Sequence, residues 1–367
     1  MTAEQLQWQT LAVLALAFAA SLVLGFVLHR THFCAMGAVS DWLLMGNTQR
    51  ARQWALALAV AMLGFAGLMQ WSGISPFNTI YNTQRLPWLS LLLGGLLFGV
   101  GMVLGSGCAS KALVRLGAGN LKSLVVLMAM GMASLATVRG LPAVWRVQGV
   151  DRVDMSWGVG PFASQWVAHF SGWSLPVAGA AAALFLALCL GVWTLSDPFS
   201  RTGKNGLAGV SVGLIAVLLW WCSGVLAWVP EHPETLESVF LTTASGRMES
   251  MSFVGPLGFW LDAFLYYSDG TKRMSFGMAM VPGVVLGSAV SAWRSDSFRW
   301  EAFTQTTDLV RHLVGGVLMG AGGVMALGCT FGQGLSGLST LNLGSLLATS
   351  GIVLGAVLTL KWQIAHD

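Results

Sequence analysis

Nine stretches of about 20 mostly apolar residues, the length that spans the hydrocarbon core of a bilayer, punctuate the chain. They run near 10–28, 54–71, 88–106, 121–138, 174–195, 206–229, 274–293, 312–328 and 344–360. Only 9% of the 367 residues are charged, against about 25% in soluble domains, so the polar surface that a soluble chain of this length needs is missing. A soluble enzyme, a nucleic-acid binder and a disordered scaffold are excluded. What remains is an all-α polytopic membrane protein of about nine transmembrane helices. Two further apolar stretches, 31–45 and 253–267, are too short to span, and the second is interrupted by Pro256 and Asp262. Both are expected to form short re-entrant or interfacial helices.

Loop charge sets an expected orientation, because cytoplasmic loops carry an excess of Lys and Arg. The loop 29–53 holds Arg30, Arg50 and Arg52, the loop 196–205 holds Arg201 and Lys204, and 294–311 holds Arg294, Arg299 and Arg311. By contrast, 230–252 carries Glu231, Glu234, Glu237 and Glu249 against Arg247 alone. Placing the basic loops inside puts the N-terminus outside and the C-terminus inside. The loop 139–173 fits least well, with Arg139, Arg146 and Arg152 outside; its aromatic residues suit an interfacial position. The net charge of +4 is small and dispersed, which suggests no nucleic-acid partner and suits an anionic cargo. The first residues, MTAEQLQWQT, lack the basic region of a cleavable signal peptide.

Glycine is abundant, 46 residues, and much of it falls in two copies of one pattern. LLGGLLFGVGMVLGSGC ends at Cys108 and LVGGVLMGAGGVMALGC ends at Cys329, aligned without a gap at an offset of 221. Gly94, Gly95, Gly99, Gly101, Gly107 and Cys108 meet Gly315, Gly316, Gly320, Gly322, Gly328 and Cys329. Downstream, NLKSL at 120–124 meets NLGSL at 342–346, one residue out of register. Four spans precede residue 140, four follow residue 205, and one lies between. An odd linker span gives the second half the opposite polarity, so the expected organisation is an N-terminal repeat (1–140), a connecting loop and linker helix (141–205) and a C-terminal inverted repeat (206–367). Inverted repeats of this kind build transporters, with substrate near the midplane where helices break. A gene duplication without alternating access is the plainer alternative.

The five cysteines are odd in number and unpaired in spacing, which argues against a disulfide framework. Cys108 sits in GSGCASKALVRLGAG: Gly105 and Gly107 break the preceding span and Gly117 closes a short helix. That spacing predicts Cys108 at the first turn of a half-helix, where unpaired N–H groups and the positive dipole end favour an anion or a thiolate. Cys329 in LGCTFGQGLSG, after Gly328, repeats the arrangement. Cys34 in HRTHFCAMGAVSD also follows a span, but pairs only weakly across the repeat, with Phe276-Gly277 facing Phe33-Cys34. Cys189 and Cys222 lie mid-span and read as small buried hydrophobes. Lys111 and Arg115 share a helical face after Cys108; they either attract an anion or mark the cytoplasmic end. Asp41 and Asp262, in or beside apolar stretches, suit an ion pair, proton coupling or helix capping. Most tryptophans fall at span ends as an interfacial belt, and the methionines form no ladder.

The motifs F-C-A-M (33–36), G-S-G-C-A-S-K-A-L-V-R-L-G-A-G (105–119) and G-C-T-F-G-Q-G-L-S-G (328–337) resemble the YeeE/YedE sulfur-transport family over nearly the whole chain. The resemblance implies a bacterial inner-membrane protein with inverted repeats that imports thiosulfate, passing the ion along three central cysteines. By motif these correspond to Cys34, Cys108 and Cys329. Gln333 stands in the second half where a cation stands in the first. The family also suggests a small soluble sulfur-carrier protein as a cytoplasmic partner. No cofactor and no enzymatic step are implied.

Thiols suit such a cargo. Thiosulfate is a dianion with one soft sulfur and three hard oxygens. A buried cationic clamp would hold it too tightly to release, whereas weak S–H donors and fractional helix-terminal charge give the shallow sites that conduction requires. Two other readings stay open. Cysteine and methionine also bind soft metals such as Cu(I), giving a soft-metal permease. Alternatively, Cys108 carries a persulfide in a membrane sulfurtransferase, although no His or carboxylate adjoins it in the sequence to activate it.

Overall fold

Capped apolar runs fold into fourteen α-helices in the computed structural model, which describes residues 3–83, 85–156, 158–197, 203–233, 236–269 and 273–366. The helices are α1 (Ala3–Thr31), α2 (Ala35–Met45), α3 (Gln49–Trp71), α4 (Trp88–Leu104), α5 (Ala109–Gly117), α6 (Leu121–Arg139), α7 (Leu141–Gln148), α8 (Ala163–Ser171), α9 (Leu175–Leu195), α10 (Gly203–Trp221), α11 (Val254–Leu265), α12 (Phe276–Arg294), α13 (Thr306–Met325) and α14 (Leu343–His366). A two-residue antiparallel pair, β1 (Trp228–Val229) with β2 (Val239–Phe240), ties the loop after α10. Of the loop charges, Arg201, Glu234 and the side chain of Lys204 lie outside the described residues.

Among the described residues, eight helical stretches are long and apolar enough to cross a membrane by length and composition. The chain is therefore an all-α polytopic membrane protein. The expected ninth span, 312–328, folds as α13, but Asp308, Arg311 and His312 in its first two turns keep it outside those eight. The two short apolar stretches form α2 and α11, of 11 and 12 residues. The stretch 139–173, read as a loop, holds the short helices α7 and α8.

Six elements recur in the same order. The series α1 to α6 is matched by α10, α11, α12, α13, the helical turns 330–339 and α14. Their packing is reciprocal: α1 lies along α12 as α10 lies along α3, and α4 lies along α14 as α13 lies along α6. This order assigns Cys34 a different counterpart from the one the residue match suggested. Cys34 is the N-cap of α2 and Phe253 is the N-cap of α11, whereas Phe276 opens the next helix, α12. Dipeptide similarity misled because it ignored the short helix between the two spans.

The glycine surplus has a packing cause. A Cβ on Gly95 would stand 2.5 Å from the carbonyl oxygen of Ala348, and one on Gly316 would stand 2.7 Å from that of Val126. The next turn repeats the relation, Gly99 against Ile352 and Gly320 against Met130. Small residues let backbones approach where no hydrophobic effect drives helices together in lipid. Outside this core, α9 exposes Phe185, Leu188 and Val192, the last 71% accessible, as a lipid-facing surface would. Cys189 is on that exposed face, so it is not the buried residue that its mid-span position suggested: α9 packs chiefly on α3 and α8, leaving its other side uncovered.

Candidate functional site

The two glycine-cysteine breaks are built identically. After α4, the amides of Gly105, Ser106 and Gly107 bond the carbonyls of Gly101, Val103 and Met102 at 2.8, 3.1 and 2.8 Å. After α13, Ala326, Leu327 and Gly328 bond Gly322, Val324 and Gly323 at the same three distances. Ser106 and Leu327 both have φ of 56°, and Gly107 and Gly328 both have φ of 157°. A side chain rarely adopts the latter value, so glycine is required for the chain to reverse and start a new helix.

Each break delivers a cysteine to the start of a short helix. Cys108 is the N-cap of α5 and Cys34 that of α2, while Cys329 directly precedes the helical turn at Thr330. All three are buried, Cys34 at 5% exposure and the others at 0%. The Cys34 sulfur accepts the Gly37 amide at 3.4 Å. Amides of Phe331 and Gly332, with that of Phe253 from the other side, face the Cys329 sulfur. The Cys34 and Cys108 thiols face each other. Cys108 also meets the Ser110 hydroxyl at 3.2 Å and faces the hydroxyl of Thr330, the residue after Cys329. Three helix N-termini and three thiols therefore converge, which concentrates fractional positive charge.

Aromatic rings wall this centre. Phe33 lies 4.9 Å from Trp54 and 6.0 Å from Phe331 by ring centroids, Trp54 lies 5.0 Å from Phe331, and Phe253 lies 5.9 Å from Phe331. Phe33 directly precedes Cys34, Phe331 follows Cys329 by two residues, and Phe253 occupies the position equivalent to Cys34. The remaining two cysteines take no part: Cys189 faces outward, and the buried Cys222 thiol sits 3.8 Å from the Val13 carbonyl.

The flanking cations differ in role. Lys111 is half-buried beside Cys34 and Cys108, with Arg50 and Arg115 nearby. Arg115 turns back on the break, donating from Nη1 to the Ser106 carbonyl at 2.7 Å. In the second half Gln333 braces the break one position earlier, donating from Nε2 to the Ala326 carbonyl at 2.5 Å. The one-residue insertion between the repeats is absorbed here, because Gly332–Gly337 is a π-helical turn, a feature frequent at functional sites. Asp41 and Asp262 both form ion pairs, with Arg50 at 3.2 Å and Arg139 at 3.0 Å.

Sequence reasoning passed over Thr330, Ser110, Phe253 and Tyr81. The Tyr81 hydroxyl, buried in the segment between α3 and α4, donates to the Gly332 carbonyl at 2.6 Å and so anchors the π-helical turn. Its signal was slight: one of only three tyrosines, in a polar loop. Among the described residues no group of three or more His, Cys, Asp or Glu side chains is placed to hold one metal ion.

A family model described as sulphur transport matches residues 30–358. The thiosulfate transporter TsuA of Escherichia coli is 29% identical over 331 residues, covering 85% of this chain and 84% of its own. The thiosulfate transporter TsuA of Spirochaeta thermophila is 28% identical over 362 residues, covering 93% of this chain and 94% of its own.

Proposed function

The chain belongs to the sulphur-transport family, and within that family we propose that it imports thiosulfate along a path formed by Cys34, Cys108 and Cys329. The observation that carries this reading is the meeting of the three buried thiols at three helix N-termini. The amides and dipole ends favour a dianion, the thiols contact its soft sulfur, and hydroxyls such as Ser110 and Thr330 suit its oxygens. Gly107 and Gly328 set the breaks, Arg115 and Gln333 hold them, and Lys111 supplies a cation beside the first two thiols. The two relatives named thiosulfate transporters support the choice of cargo.

The orientation we infer has the N-terminus outside and the C-terminus inside a bacterial inner membrane. Residues 1–140 and 206–367 act as inverted repeats joined by 141–205. Cargo reaching the cytoplasmic side passes to a small soluble sulfur-carrier protein. The chemistry is transport and not group transfer: the thiols bind and release the ion without a covalent step.

Growth on thiosulfate as sole sulfur source, in a strain lacking other sulfur uptake, tests the reading. Cys34→Ala, Cys108→Ala and Cys329→Ala abolish growth, and Cys189→Ala leaves it unchanged. Full growth of all three central variants would reject the cysteine path. A persulfide found by mass on Cys108 after turnover would replace transport of the intact ion with sulfur transfer.

A further inference from the structure

A cavity of about 530 Å³ lies between α2, α3, α9, the π-helical turn and α14, within the range of about 300–1,000 Å³ usual for small-molecule sites. No charged side chain lines it. Ala35, Ala38, Val39, Trp42 and Leu43 recur at three- and four-residue steps, so one face of α2 borders this space, while the helix packs chiefly on α3 and α14. The inner end adjoins the thiol centre, because Ala35 follows Cys34 and Thr330 follows Cys329. The outer end opens sideways. Trp42 and Val353, both on the wall, are 59% and 41% exposed, and α3, α9 and α14 are long and apolar enough to cross a membrane.

Two polar atoms on this wall have nothing to bond. Trp54 Nε1 and Thr349 Oγ1 are buried with no hydrogen-bond partner. Both side chains adjoin Gly334, where a Cβ would lie 3.8 Å from the Trp54 ring and 3.9 Å from the Thr349 hydroxyl. Hydrocarbon supplies no water to satisfy them, and an indole N–H can only donate. What fits is an apolar ligand that carries acceptor oxygens. One turn before Trp54 on α3, Arg50 pairs with Asp41 at 3.2 Å, its side chain still 37% exposed, and Arg52 lies over the Trp193 ring at 5.1 Å. Ala51, between the two arginines, and Trp193 both line the cavity. In sequence these helix ends and their connections carry Arg50, Arg52, Arg201 and Lys204 against Asp41 and Asp197, a cationic surplus that suits an anionic headgroup.

We propose that this cavity is a binding site for one anionic phospholipid, which enters from the bilayer with its phosphate at Arg50 and an acyl chain along the apolar face of α2. The ester carbonyls accept from Trp54 Nε1–H and from the Thr349 hydroxyl, which gives both stranded donors a partner. A guanidinium has five N–H donors, so the Asp41 pair leaves Arg50 able to hold a phosphate as well. Trp42 and Trp193 at the rim suit the membrane interface, where indole rings concentrate. The bound chain fills the gap beside α2 and so steadies Cys34, the N-cap of that helix. The site does not depend on which ion the protein carries.

Native mass spectrometry of the purified, delipidated full chain in detergent tests this, with phosphatidylglycerol or phosphatidylcholine of the same acyl chains titrated in. The wild type retains one phosphatidylglycerol and binds it about fivefold more tightly than phosphatidylcholine, the preference that one arginine near the phosphate provides. Val353→Trp, which blocks the opening from an exposed position, loses that molecule. Thr349→Val, which removes one donor without changing shape, weakens it by about two- to tenfold. Arg50→Gln abolishes the preference between the two lipids, and Arg152→Gln, outside the cavity, changes none of these readings. Added phosphatidylglycerol raises the thermal midpoint of the wild type and not that of Val353→Trp. Size-exclusion profiles confirm that each variant is folded. Failure of the wild type to retain phospholipid, or equal retention by Val353→Trp and Thr349→Val, overturns the site. Equal affinity of the wild type for both lipids overturns the anionic headgroup at Arg50. A dimer of the wild type that separates in Val353→Trp gives the cavity to a second copy of the chain and overturns the lipid.

Discussion

The thiol of Cys34 faces the thiol of Cys108, although 74 positions separate them and each caps a different short helix. The contact joins the first break of the chain to the second, and Thr330, beside Cys108, brings the third break to the same place. No single motif creates the site; it exists only when the broken helices have packed.

The breaks themselves are the first place to test. Gly107 and Gly328 hold a φ of 157°, and a Cβ on Gly107 would also stand 3.0 Å from Lys111 Cγ. Gly107→Ala and Gly328→Ala are each expected to cost about 1–3 kcal/mol, the range for a residue held in a disfavoured backbone region. Thermal unfolding in detergent reads this as a lowered midpoint. An alanine at either position that left the midpoint and uptake unchanged would show that the break does not depend on glycine.

Arg115 and Gln333 each brace one of the two breaks, through carbonyls one position apart in the repeat, Ser106 at 2.7 Å and Ala326 at 2.5 Å. Loss of the charge-assisted bond in Arg115→Ala is expected to remove about 1.5–3 kcal/mol, and loss of the neutral one in Gln333→Ala about 1 kcal/mol plus any cavity cost. Arg115→Gln, if its amide reaches Ser106, restores part of the thermal midpoint. Equal stability of Arg115→Ala and wild type would leave Arg115 as a surface charge only.

What could be read without coordinates was local. Apolar runs located the spans, and glycines flanking a cysteine located both breaks, because span length and backbone freedom depend on neighbouring residues. Cys34 was found by its position after a span, yet its counterpart Phe253 was not, since that pairing needs the packed order of α2 and α11. The out-of-register repeat was visible, but its absorption in a π-helical turn anchored by Tyr81 was not. The aromatic wall of Phe33, Trp54, Phe253 and Phe331 comes from four distant segments, and distance along the chain hid it. The charged start of α13 was legible and its meaning was not: Lys122 on α6 pairs with Asp308 at 2.7 Å.

Acidification is expected to favour uptake through Glu249. Burial pushes its carboxyl above the usual range, with the Ser245 amide and hydroxyl partly opposing the shift. Arg247 on its own loop, Tyr81 from the segment before α4, and Arg139, Asp262 and Arg273 in an adjoining cavity are the other charged or titratable groups around it. A raised carboxyl pKa means that the group becomes neutral earlier as pH falls. Neutralisation removes a negative charge from a cavity that also borders Gly328, next to Cys329, so KM for the dianion falls with falling pH through that raised value. Glu249→Gln flattens the dependence, and a wild-type KM that rose on acidification would contradict it.

Orientation is open to a direct chemical readout. Ala244 is exposed in the loop that precedes α11. In a Cys189→Ala background, Ala244→Cys is expected to react with a membrane-impermeant maleimide in intact cells. Labelling only after the membrane is opened would place this loop in the cytoplasm and invert the proposed topology.

The central claim is that thiosulfate crosses by way of three buried thiols. Its most direct test is the initial rate of radiolabelled thiosulfate uptake into proteoliposomes containing purified protein, wild type against single Cys→Ala variants. The expected result is a loss of at least about tenfold, a barrier increase of about 1.4 kcal/mol or more, for Cys34, Cys108 and Cys329, with Cys189 and Cys222 variants within about twofold. Wild-type rates in all three central variants would contradict the account.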